Sequence, residues 1–99
     1  MSALSGLVRY CEEHDLKNHL VTCVDLIREN FPTLRRIEIY GDADPEFEGE
    51  DWIVMEAEVR GSVKEVLRDY DNYTGAVVRA IPWPHRQRLV FSYFILPET

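Results

Sequence analysis

The stretch GSVKEVLRDYDNYTGAVVRAIP, Gly61 to Pro82, constrains the fold more than any other part of the chain. Ser62 stands three residues before Glu65, the spacing at which a hydroxyl and a carboxylate satisfy free backbone N–H groups at a helix start. Val63, Val66, Leu67, Tyr70, Tyr73, Thr74, Val77, Val78 and Ile81 then recur at three- and four-residue intervals, which predicts an amphipathic helix that Pro82 stops. Gly75 lies off that stripe and weakens the helix only slightly.

On both sides of this helix the period falls to two. Upstream, Arg35, Ile37 and Ile39 share one face and Arg36, Glu38 and Tyr40 the other, which predicts a strand. Ile53, Met55, Ala57 and Val59 alternate with Trp52, Val54, Glu56 and Glu58 in a second strand. The turn-rich, acidic segment from Gly41 to Glu50 joins the two as a hairpin. Downstream, the loop Pro82 to Arg88 leads into Leu89 to Leu96, apolar at both parities apart from Ser92 and Tyr93, the pattern of a strand covered on both faces. A helix between two strands is a crossover. The last strand is therefore expected to run parallel to the second, or to pair antiparallel with the first after passing beneath it.

The N-terminal third is helical by the same spacing argument, through Leu4, Leu7, Val8 and Cys11, then Leu16, Leu20, Cys23 or Val24, and Ile27. We expect two helices, with a break near His14 and Asp15 as the N-cap of the second; one long bent helix is the alternative. Pro32 disfavours helical geometry at Phe31, so the helix should end near Asn30. The expectation is a single two-layer α+β domain over residues 1–99, in the order α-α-β-β-α-β, with a three-stranded sheet packed on helices.

Ninety-nine residues suffice for one core but not two, and the chain's two Trp, five Tyr and four Phe supply anchors that acidic disordered tails lack. No stretch approaches the ~20 apolar residues of a membrane span, and the start has no basic segment followed by a long apolar one. Neither membrane insertion nor secretion is expected. Cys11 and Cys23, each on an apolar stripe, are too few to staple a small secreted fold, so a reduced, cytoplasmic protein is expected.

The net charge of -7 has one source. Residues 1–36 are neutral and residues 60–99 carry +2, whereas Ile37 to Val59 hold nine acids and no base. Such a field repels phosphates, so nucleic acid is not an expected partner despite the small basic-aromatic loop of Trp83, His85, Arg86 and Arg88. We expect Arg86 and Arg88 to meet acids of this chain or of a second one.

Several chemistries lack their parts. Cys11, His14, His19 and Cys23 are zinc-binding residue types. Their central gap is short, however, and on one helix they fan over about half the circumference instead of converging. In the acidic turn of Asp42, Asp44, Glu46, Glu48, Glu50 and Asp51, four residues (Asp44, Glu46, Glu48 and Gly49) match the opening of an EF-hand loop. The closing bidentate Glu is replaced by Met55. The glycines are isolated, so no phosphate loop is present, and no nucleophile motif surrounds Ser5, Ser62 or either cysteine. Glu56 and Glu58 are the only carboxylates placed as a pair. The balance leans away from an enzyme, with no cofactor expected.

If Ile37, Ile39, Ile53, Met55, Ala57 and Val59 face the helices, then Tyr40, Trp52 and Val54 point the opposite way. They would be joined by Val90, Phe94 and Leu96, or by Phe91, Tyr93 and Ile95. That face would be apolar at its centre and rimmed by Glu38, Glu56 and Glu58, which is the anatomy of an interaction surface. The alternative has the N-terminal helices on one face and the capped helix on the other. The expected function is a non-catalytic interaction or regulatory subunit that self-associates or binds a basic protein, an acidic inhibitor or antitoxin-like subunit being one version. Tyr40, Trp52, Val54, Glu56, Glu58, Trp83, Arg86 and Phe94 would form the contact surface, and the acidic turn would add complementarity. A metal- or small-molecule-binding domain using Cys11, His14, His19 and Cys23, or residues 42–51, is the alternative.

Overall fold

The computed structural model describes residues 3–47 and 49–97, with side chains from residue 6 onward. The elements are α1 (Ala3–Glu13), α2 (Lys17–Asn30), β1 (Leu34–Ala43), β2 (Asp51–Val59), α3 (Val63–Ala80), α4 (Trp83–Arg86) and β3 (Leu89–Ile95). The α+β reading holds, with α4 as a short turn of helix inside the segment expected to be a loop.

β2 is the central strand. β1 lies antiparallel to it, with Tyr40 opposite Val54, and β3 lies parallel to it, with Val54 opposite Val90. Of the two pairings the sequence allowed for β3, the parallel one is therefore realised, and α3 is the crossover that parallel neighbours require. Its start is half of the expected capping box: Ser62 is extended and its Oγ accepts from the Glu65 N–H at 3.2 Å, while the Glu65 carboxylate takes the Ser62 hydroxyl, at 3.0 Å, instead of the Ser62 backbone N–H.

The helical N-terminal region is two helices, but Asp15 does not cap the second. It adopts φ 55 and closes α1, where the Leu16 N–H reaches back to the Cys11 carbonyl at 2.9 Å. This is the Schellman arrangement: a left-handed residue reverses the chain and drops the next apolar side chain into the core beside the last turn. Cys11 and Leu16 are both buried. Leu16 then occupies the N-cap position of α2 without a side-chain hydrogen bond. A left-handed conformation costs any residue with a Cβ. Asp15→Gly is therefore expected to stabilise the protein by about 0.5–1 kcal/mol, read as a higher midpoint in thermal unfolding.

One core joins every layer. Cys11, Leu16, Cys23, Ile27 and Phe31 from the N-terminal helices meet Val66, Tyr73, Val77 and Ile81 from α3 over Ile53, Met55, Ala57 and Val59 of β2. Each fully buried aliphatic or aromatic side chain contributes roughly 1.5–3 kcal/mol. Phe31, the bulkiest of them, lies 5.3 Å from Phe91 and 6.1 Å from Tyr73, ring centre to ring centre. Only one parity of β2 and β3 takes part, and in β1 Ile37 and Ile39 do so together with Leu34, which the register irregularity before Arg36 turns to the same side. The N-terminal helices and α3 therefore share a single face of the sheet, and the arrangement with helices on both faces is not formed.

Candidate functional site

The consequence is a sheet with a bare outer face. The register places its side chains in rows: Tyr40, Val54 and Val90; Glu38, Glu56 and Ser92; Arg36, Glu58 and Phe94; with Asp42 opposite Trp52 at one end. Tyr40 and Val90 are each 39% exposed and Phe94 is 55% exposed, while Val54 is shielded between its neighbours. The outward parity of β3 is thus Val90, Ser92 and Phe94. The expectation that this strand is covered on both sides is overturned: β3 is an edge strand whose inner residues pack under α3 and whose outer residues have no layer above them among the described residues.

The middle row is electrostatically unfavourable. Glu38 stands directly across from Glu56, and like charges at that position repel. Two contacts moderate the repulsion. The Tyr40 hydroxyl donates to Glu56 Oε2 at 3.0 Å, and Arg36 lies 3.7 Å from Glu38. The Glu56 carboxylate, as acceptor, in turn pushes the Tyr40 phenol upward. Among the described residues, four carboxylates, Glu38, Asp42, Glu56 and Glu58, thus share this face with one base, Arg36.

The structure separates the remaining expected contact residues from this face. Trp83 and Arg86 sit on α4. Arg86 donates to the Val78 and Ile81 carbonyls at 3.1 and 3.4 Å, and its guanidinium lies 5.2 Å from the Trp83 ring centre. That side chain caps the C-terminal end of α3, where a cation is favoured. In the acidic turn, Asp44 accepts from the Glu46 N–H and Asp42 from the Ala43 N–H, local bonds that shape the turn. Glu46 and Glu50 are exposed, and Glu48 lies outside the described residues.

Asp51 is engaged within the chain. Arg88 Nη1 bonds Asp51 Oδ1 at 2.9 Å and the Tyr10 hydroxyl at 2.9 Å, and Tyr10 donates to the Asp51 backbone carbonyl at 2.9 Å. The expectation that Arg88 finds an acid is met on this chain, and Tyr10 is a member of the network that sequence reading missed. Partial burial is the main cause raising the Tyr10 phenol above its usual value. The network ties α1 to the start of β2 beside a groove of about 780 Å³ bounded by Gly6, Leu7, Tyr10, Ile39 and Trp52.

Cys11, His14, His19 and Cys23 do not come together. Both thiols are free and buried, His14 packs on Tyr10 at 4.4 Å, and His19 packs on His85 at 4.5 Å. No group of three or more His, Cys, Asp or Glu side chains among the described residues is arranged to hold a metal ion.

The core thiol and phenol carry a pH signature. Burial pushes the Cys23 thiol from 9.0 up to about 11, and burial likewise raises Tyr73, its hydrogen-bonding neighbour. Both ionise more readily in the unfolded chain. Their contribution to stability is therefore complete below about pH 9 and is lost as pH rises through the folded-state values. Urea unfolding across the alkaline range should show this decline, with a shallower slope in Cys23→Ala; an unchanged slope would refute the assignment.

Comparison with protein-family models, curated proteins and solved structures finds no match for this chain. No helix among the described residues is long and apolar enough to cross a membrane.

Proposed function

We propose that this chain is a non-catalytic protein-binding subunit whose outer sheet face docks a basic protein. The supporting observation is the one-sided sheet: an apolar row of Tyr40, Val54 and Val90, extended by Trp52, lies beside a row in which Glu38 opposes Glu56. Rows on one face of a strand repeat every two residues, roughly 7 Å. A fitting partner presents an apolar or aromatic anchor about that distance from a Lys or Arg. The anchor covers exposed apolar surface, and the cation relieves the repulsion between Glu38 and Glu56, so both features favour the same ligand. Long-range attraction from the acidic segment, Asp42 to Asp51 included, speeds encounter and orients the partner more than it sets affinity. Two buried, unpaired cysteines fit residence in a reducing compartment such as the cytoplasm.

The test is capture from the source cell at low ionic strength, followed by identification of the bound protein and titration with the purified pair. Wild type should retain a stoichiometric basic partner that salt releases. Trp52→Glu should lose it, and Val21→Glu, on the exposed side of α2, should keep it. Equal retention by both variants would contradict the proposal.

A further inference from the structure

The two edges of the sheet are built differently. β1 carries Arg35, Arg36, Glu38 and Asp42 and has a register irregularity between Leu34 and Arg36, charges and bulges being the usual means of discouraging an edge from pairing. β3, Leu89 to Ile95, contains no charged residue at all.

Its hydrogen-bonding groups are also available. Ile53 N–H bonds the Arg88 carbonyl and Leu96 N–H bonds the Val59 carbonyl, each at 2.8 Å, which fixes the even-numbered residues of β3 as those turned toward β2. The N–H and C=O groups of Leu89, Phe91, Tyr93 and Ile95 therefore point to the free edge, with no backbone partner among the described residues.

The strand is self-complementary when reversed about Ser92. An antiparallel copy in that register sets Leu89 against Ile95, Val90 against Phe94 and Phe91 against Tyr93. The outward-pointing groups of the odd residues then bond each other, as an antiparallel ladder demands. On the outer face the same operation places the exposed Phe94 of one copy at the end of the row Tyr40, Val54 and Val90 of the other, extending that apolar row.

A second observation points the same way. The apolar stripe of α3 is wider than its core contact. Val66, Tyr73 and Val77 are buried, whereas Val63, Leu67 and Val78 are 62%, 47% and 53% exposed. At about 100° per residue, these three lie further round the helix from Tyr73, which meets Cys23 and Phe31 of the α2 side, past Tyr70, which packs on Phe91 and Tyr93. That direction leads away from α2 and over the free edge of β3, so the uncovered edge and the uncovered helix stripe border the same space.

We infer that the occupant of this space is a second copy of the chain, related by a two-fold axis through Ser92. The two sheets join as one six-stranded sheet, and the Val63, Leu67 and Val78 stripes of the two α3 helices pack above it. This dimer does not rest on the proposed partner. It leaves Tyr40 and Trp52 open on both copies.

The register supplies a covalent test. Ser92 would face its own symmetry mate as a non-hydrogen-bonded pair, with Cα atoms about 4.5 Å apart, inside the span a disulfide bridges. Stacking of two outer faces would instead hold them about 10 Å apart. Sedimentation of the full chain should show a concentration-dependent dimer. Ser92→Cys should form a disulfide-linked dimer under mild oxidation, and Val21→Cys should remain uncrosslinked. Leu67→Glu should raise the dimer dissociation constant at least about tenfold with unchanged circular dichroism, because it places charge in the helix contact. A wild type that stays monomeric at every concentration overturns the inference, as does a dimer in which Ser92→Cys crosslinks no better than Val21→Cys. Trp52→Glu separates the two proposals: it should abolish partner capture and leave the Ser92→Cys crosslink intact.

Discussion

Phe31→Ala is expected to destabilise the protein by about 3–5 kcal/mol, enough to unfold a small domain of ordinary stability. Phe31 ends α2, is 1% exposed, and touches both the α3 ring Tyr73 and the β3 ring Phe91. Deleting it removes the transfer contribution of a large ring and leaves a cavity that three separate elements would have to close. The comparison that gives the number meaning is Phe94→Ala, three residues beyond Phe91 on the same strand. Phe94 is more than half exposed, so its loss should cost less than about 1 kcal/mol. Chemical denaturation of the two variants checks both values. Similar costs at the two positions would mean that the outer face is buried as well, and the one-sided sheet would be wrong.

The second large effect concerns binding. Trp52→Glu should weaken association with the proposed basic partner by at least about 2 kcal/mol, some 30-fold, while the domain stays folded. Trp52 is half-buried at the start of β2, opposite Asp42, and borders the apolar row. Tryptophan in such a position supplies a large rigid contact area at small entropic cost. A glutamate there removes the area and must lose its hydration against an apolar partner group. Titration calorimetry with the purified pair reads the affinity, and far-ultraviolet circular dichroism reads the fold. Unchanged affinity in a folded Trp52→Glu variant would remove this residue from the interface.

Much of the fold was legible because its determinants are local. The Ser62 and Glu65 cap, the stop at Pro32, the alternation in β1 and β2 and the acidic turn between them each act within a few residues. Long-range pairing follows once a capped helix separates two strands. The less legible parts depend on partners far along the chain. Leu89 to Ile95 is apolar at both parities, so alternation has no contrast to report, and its one bare face became visible only when every helix packed on the other. The broad stripe of α3 hid a similar division, since Val63 and Leu67 look like core in periodicity and are not. Asp15 reads as an N-cap in the sequence because a residue between two helices can end one or begin the other, and the choice turns on its backbone angle. Arg88 meets Tyr10 across 78 residues and Asp51 across 37, separations over which no spacing rule operates. Arg86 is a local case that composition disguised: a base beside a tryptophan resembles a recognition loop, yet its guanidinium is occupied by the carbonyls at the end of α3.

The outer sheet face is the proposed docking surface. Hydroxyl-radical footprinting of the chain alone and in complex distinguishes this face from the others, because the aromatic rings that report are distributed over the molecule. Tyr40 and Trp52 should be oxidised in the free protein and protected in the complex, while Trp83, 62% exposed on α4, is modified equally in both. Protection of Trp83 with Tyr40 and Trp52 left unchanged would place the partner on α4 and rule out the outer face.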